Sequence, residues 1–276
     1  MTGSAHVVTL ALAAALAFVA CGGGSDSTPA ATAPSGTEAV AATATAPEAL
    51  AGAVELTWWG QAMFVLRAPD GTGVLLDPYG DIGYRLPDAA ELDVDAVTVS
   101  HEHFDHNNVA LGSGATVLRG LTADGYAEID EQVGEVVFRT VASFHDEEEG
   151  AARGRNAIFI LEVAGLRIVH LGDLGHRLSD EQIAAIGEVD VLLVPVGGFF
   201  TIDAAAATDV VGQTAPRVVI PMHYGTDAVA IEQLAPVDGF LQGKAVDRFA
   251  SGVALSLDEL PEPGSAAVWV LEPAGG

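Results

Sequence analysis

The 276-residue chain has one cysteine, Cys21, and one lysine, Lys244. A single thiol excludes an internal disulfide and any zinc site built on cysteines, so a metal here would have to use histidine and carboxylate. Basic residues are scarce altogether: 11 Lys and Arg face 38 Asp and Glu, a formal charge of −27. Affinity for nucleic acid comes largely from Lys and Arg neutralising phosphates, which argues against a nucleic-acid partner. The same negative field draws cations towards an acidic cleft. The chain shows no internal repeat. Half its residues are hydrophobic, enough to fold around a core without covalent staples.

The apolar run "VVTLALAAALAFVA", residues 7 to 20, falls short of the ~20 residues that span a bilayer and has the length of a signal-peptide core. It ends at Ala20-Cys21, before "GGGSDSTPA". A hydrophobic core, small residues and a cysteine opening a Gly/Ser tether resemble a bacterial lipoprotein signal. That resemblance implies export, acylation of Cys21 and a membrane anchor outside the cytoplasm; an ordinary secretory signal is the alternative. Residues 21–53 are rich in Ala, Thr, Pro and Gly and read as a flexible linker, because they cannot bury enough apolar surface to offset chain entropy. The division expected is therefore a signal at 1–20, a linker at 21–53 and one folded domain at 54–276.

Within that domain strand and helix signals alternate. "VELTWW", "MFVLRA", "GVLLDP", "AVTVS", "EVVFRTV", the hairpin "AIFILEVAGLRIVHL", "VDVLLVPV", "RVVIPM" and "AAVWVLE" read as strands. "LSDEQIAAIG" reads as a helix with Ser179 and Gln182 as its capping box and Gly187 as its stop. "TIDAAAATDVV" and "TDAVAIEQLA" are expected to be helices too. Buried-type strands mixed with helices imply a layered α/β domain.

The stretch "SHEHFDHNN", residues 100 to 108, spends three of the eight histidines within six positions. It is not the HExxH zinc motif, since Asp105 occupies the position four after His101 and a strand precedes it rather than a helix. In an extended chain alternate side chains share a face, so His101, His103 and Asp105 would point together. A turn after Asp105, suited by Asn107 and Asn108, would bring in His106. A strand that delivers three ligands and bends to deliver a fourth can serve two adjacent metal ions. Further candidates each close an apolar run: His145 after "VVFRTVASF", Asp173 after "LRIVHLG" and His223 after "RVVIPM".

"HEHFDH", His145, "HLGD" and "PMHYGT" together resemble the metal signature of the metallo-β-lactamase fold superfamily. The likeness is greatest to its ascorbate-6-phosphate lactonase-like branch of metal-dependent hydrolases, which also shares the opening "LTWWGQAMFVLRAPDGTGVLLDPYG". The resemblance implies a four-layer αββα sandwich with two divalent ions at the sheet edges, zinc being expected and manganese or iron the alternatives. It places His101, His103 and His145 on one ion, Asp105, His106 and His223 on the other, and Asp173 between them. Such a pair makes water nucleophilic at neutral pH and stabilises the developing oxyanion; Asp105 would orient that water and carry its proton. Many relatives have a histidine directly after the Trp-Gly turn, where this chain has Gln61.

Around this set, His176 in "GDLGH" is a candidate proton donor to a leaving group, and Arg155 and Asn156 in "ARGRNA", with Arg153, are candidates to clamp an anionic group of the substrate. His170 reads as a core or supporting group, Asp77 as a support of the site, and Phe199 and Phe200 as pocket lining or packing. The function implied is an exported binuclear hydrolase of a small lactone, another ester or a phosphodiester. The alternatives are a phospholipase-D-like enzyme on lipid headgroups and a non-hydrolytic metal protein, either a dioxygenase or a metal-binding lipoprotein. The diiron reductases of this fold carry a carboxylate where this chain has His103.

Overall fold

A computed structural model describes residues 52–276; the expected signal, Cys21 and almost all of the linker lie outside the described residues. Five strands come first: β1 (Val54–Gly60), β2 (Met63–Arg67), β3 (Gly73–Leu76), β4 (Ala96–Val99) and β5 (Thr116–Arg119). Next are β6 (Asp130–Val133), β7 (Val136–Phe144), β8 (Arg155–Val163), β9 (Leu166–His170), β10 (Val191–Pro195) and β11 (Val218–Met222). The chain closes with β12 (Val246–Phe249), β13 (Gly252–Leu255) and β14 (Ala267–Leu271). Four helices interrupt them: α1 (Ala89–Leu92), α2 (Asp180–Ile186), α3 (Ala204–Thr214) and α4 (Asp238–Leu241).

The strands make two sheets, ordered β13-β1-β2-β3-β4-β5 and β12-β14-β11-β10-β9-β8-β7-β6. Side chains alternate across a strand, and both faces of the first sheet are apolar. Leu56, Trp58, Phe64, Leu66, Val74 and Leu76 enter the large core that also holds Phe138, Phe159, Leu161, Leu193 and Ile220. Their neighbours Trp59, Met63, Val65, Leu75 and Val97 face the other way, onto Tyr79, Tyr84 and Leu92. The α/β sandwich expected from the sequence is therefore present, with helices few and short.

Strand direction sets where the site can be. β9, β10 and β11 run parallel, and β8 is antiparallel to both β7 and β9, so β7, β9 and β11 all end at one edge. In the other sheet β3 and β4 are parallel, and β1 and β3 share a direction because each is antiparallel to β2. Asp77, the "SHEHFDH" segment, His145, Asp173 and His223 all follow the ends of these strands. Rigid elements thus aim their last residues at one place.

Two sequence expectations fail. The segment 226–235 is irregular rather than helical; Thr226, at its start, pairs its hydroxyl with Tyr84 at 2.8 Å instead of capping a helix. Ala230 instead donates its backbone N–H to Ile82 O at 2.8 Å, and Ala228, Val229 and Ile231 pack on the outer cluster of the first sheet. The chain also bends earlier than expected after β4: the His106 N–H already donates to His103 O at 3.0 Å. Asn107 and Asn108 hold the finished loop, through Glu102 O at 3.0 Å and Tyr79 O at 2.9 Å.

Candidate metal centre

His101, His103 and His145 each bring one ring nitrogen within 4.8 Å of the others'. Asp105, His106, Asp173 and His223 form a second group of the same kind. Asp173 touches both. Its Oδ2 lies 3.0 Å from His145 Nε2 and 3.8 Å from His101 Nε2, while its Oδ1 lies 3.2 Å from both His106 Nε2 and His223 Nε2. The seven residues singled out in the sequence are thus brought to one place, in two groups that share one carboxylate.

The groups behind these ligands fix how they face. Asp77 accepts the Ser100 N–H at 2.8 Å and the Ser100 hydroxyl, and its Oδ2 lies 2.9 Å from His106 Nδ1. That contact makes Nδ1 the protonated nitrogen and turns Nε2 inward, the usual way a carboxylate orients a ligand histidine. Ser100 Oγ sits 3.0 Å from His101 Nδ1 and does the same for that ring. A third group, Asp77 with His101 and His106, is also close enough to hold an ion, but both oxygens of Asp77 are already occupied.

Electrostatics call for a cation. Asp105 and Asp173 are buried, with no Lys or Arg paired to them among the described residues. Burial alone would raise both carboxyls; nearby His106 and His223 overcome it and hold them below the ordinary range. Burial alone would lower the two rings; Asp173 and Asp105 instead hold His106 well above its usual value and His223 at about 9. Two buried carboxylates therefore require positive charge, from protons on these rings or from metal. His106 Nε2 and Asp173 Oδ1 are buried and have no hydrogen-bond partner, and mixed N and O donors of this kind suit divalent transition metals.

The other candidates land differently. Asn156 is fully buried: its amide donates to Ser143 Oγ and Leu171 O, and its Oδ1 accepts the Asp173 N–H at 2.9 Å. It holds the Asp173 loop from below and faces no cleft. Arg155 lies over Tyr126, 5.9 Å from the ring centre. His176 accepts the Phe144 N–H at Nε2, and its Nδ1 lies 2.6 Å from Arg177 O, so neither nitrogen is free towards the site. His170 is buried against Ala62 O, in the supporting place read from the sequence.

Arg153 occupies the place that Arg155 lacks. A cavity of about 470 Å³ has His103, Asp105, His145 and Asp173 as its floor and Phe104, Phe200, Ile231 and Arg153 in its walls. Phe200 lines it; Phe199 packs on Phe200 at 4.7 Å and is 61% exposed at the rim. A second, more polar cavity of about 470 Å³ continues from it past Arg153 towards Arg177 and Asp203. Sequence reading also missed Asp146. Its carboxylate accepts the N–H groups of Glu148, Gly150, Ala152 and Arg153 at 2.6–3.0 Å. One side chain shapes the loop that presents Ala152 and Arg153 to the cleft. The signal, an Asp opening the acidic run "DEEEG", resembles an ordinary solvated stretch.

A family model described as a β-lactamase superfamily domain matches residues 55–223. The chain belongs to the UPF0173 metal-dependent hydrolases of the metallo-β-lactamase superfamily. A UPF0173 metal-dependent hydrolase from Anaeromyxobacter sp. strain K is 34% identical over 237 residues, covering 72% of this chain and 85% of that one. A crystal structure assigned to a Zn-dependent hydrolase of the superfamily, from Thermotoga maritima, is 32% identical with a TM-score of 0.59 and covers 79% of this chain and 100% of the other. The metallo-hydrolase Igni18 from Ignicoccus hospitalis shares the fold at 22% identity and a TM-score of 0.56, over 80% of this chain and 96% of that one. In this UPF0173 hydrolase the matched residues 55–223 carry all seven candidate ligands.

Proposed function

We propose that the protein is an exported, lipid-anchored hydrolase that uses two divalent ions to cleave a lactone or other carboxylic ester with an apolar body, the nearest likeness being the lactonase-like branch. The observation that carries the two-ion reading is Asp173, whose two oxygens face separate histidine groups. When bound, a pair of ions there supplies a nucleophilic water and stabilises the oxyanion that develops on an attacked carbonyl. Asp105, at the cavity floor and kept ionised by its neighbours, is placed to hold a proton released at the reacting centre.

The walls favour an ester over a phosphodiester. Phe104, Phe200 and Ile231 stand directly over the ligand residues, and an apolar wall rewards an apolar acyl or ring portion while excluding water. Arg153 is the one cation in that wall, a single charge beside a surface of strongly negative sign. Neither alternative reading, lipid-headgroup hydrolysis or non-hydrolytic metal chemistry, has an observation of its own in its favour. The test is a panel of lactones, acyl esters and an aryl phosphodiester assayed with the metal-reconstituted protein. Turnover of lactones and esters at least tenfold faster than the phosphodiester is expected. The reverse order would assign a phosphodiesterase, and metal-dependent turnover of none would favour a non-hydrolytic role.

A further inference from the structure

Gln61 closes β1 at the edge where the ligands gather and sits in the left-handed region, at φ 49°. It is fully buried. Its backbone carbonyl accepts the Trp58 indole N–H at 3.1 Å and the His223 N–H at 3.0 Å, which locks it to the strand end bearing His223. Its side-chain nitrogen lies 2.9 Å from Asp105 Oδ2 and 2.6 Å from His223 Nε2, two atoms of the second ligand group. Its Oε1 is buried with no partner.

Amide nitrogen and oxygen exchange places by a half-turn of the side chain. Without a cation neither orientation is satisfactory. Nitrogen inward leaves the oxygen orphaned, and oxygen inward can accept from His223 Nε2 but is set against the Asp105 carboxylate. With a cation between Asp105, His223 and Gln61 the second orientation becomes favourable, because donors ~2.1 Å from one octahedral ion lie about 3 Å apart.

We propose that Gln61 is a ligand of the second ion through Oε1. The proposal rests on the two-ion reading and makes the two sites unlike. The first offers three imidazoles and one carboxylate oxygen, a set that suits zinc. The second offers two imidazoles and three oxygens, from Asp105, Asp173 and Gln61, with room for a larger coordination number. Such a set favours harder ions such as Mn²⁺ relative to its neighbour.

The test is calorimetric titration of the metal-free protein, and of its Gln61→Ala and Gln61→Glu variants, with Zn²⁺ and with Mn²⁺. Circular dichroism checks that each is folded, and Gln61→Asn, whose amide is one methylene too short, replaces Gln61→Ala if that variant does not fold. In the truncated variant the first ion should bind as in the parent and the second at least tenfold more weakly, with the larger loss for Mn²⁺. Gln61→Glu keeps an oxygen at the same reach and should bind the second ion as tightly as the parent or more so. If Gln61→Glu weakens the second ion as truncation does, the side chain acts through its N–H on Asp105 and the ligand assignment is overturned. Unchanged binding in the truncated variant overturns it as well. A parent that takes up fewer than two ions overturns the two-ion reading itself.

Discussion

Asp105 and His103 are two positions apart and are expected to do different work. His103→Ala removes a neutral ligand of the first ion, so metal content and rate should fall together. Asp105→Asn keeps the size and one oxygen donor but loses the charge; it should retain at least one ion while losing roughly two or more orders of magnitude in rate. Occupancy and turnover measured on the same preparations check both, and parental turnover in Asp105→Asn with metal bound would leave Asp105 no part in the chemistry. Proton uptake separates the two groups as well. Burial lowers His101 and His103 below the usual histidine value, so they are already neutral above about pH 6.5, whereas His106 is held well above it and His223 near 9. Between these limits the second ion should depend on pH more steeply than the first, binding more tightly as pH rises and releasing protons. Titration in buffers of different ionisation enthalpy reads that release; equal release by both ions would contradict it. The metal-free fold follows the same sign: stabilisation from charged His223 is full below about pH 6.5 and lost as pH rises through about 9.

Every strand read from the sequence exists, and the four that were not read, β5, β6, β12 and β13, are the outer strands of the two sheets. Their exposure explains the omission. Central strands are buried on both faces and write continuous apolar runs, while "DEQV" of β6 and "VDRF" of β12 are mostly solvent-facing and carry little pattern. The metal ligands were legible because strand ends are marked by the runs before them. Asn156 and Asp146 were not, since what an amide or carboxylate accepts from the backbone depends on loops that close only in three dimensions. Asp146→Ala leaves four backbone N–H groups without their acceptor, at a cost of roughly 1–3 kcal/mol, and lets the loop carrying Arg153 move. KM should rise several-fold with both ions still bound; an unchanged KM and melting temperature would show that the loop holds its shape without Asp146.

The whole chain carries a formal charge of −27 alongside a site that collects cations. That field favours metal capture and disfavours approach of polyanions, consistent with a cleft whose walls are apolar. The amino-terminal segment sets where this domain would work. If Cys21 is acylated as the resemblance of residues 7–21 implies, Cys21→Ser should move the mature protein from the membrane fraction to the soluble fraction. Mass spectrometry of the mature chain then finds a lipidated Cys21 in the parent, and an unmodified amino terminus elsewhere would contradict the anchor. On the two-ion reading seven residues from four strand ends, joined through Asp173, hold two ions. Elemental analysis of the purified protein after reconstitution and desalting tests it most directly: two divalent ions per chain are predicted, and a value of one or below would contradict it.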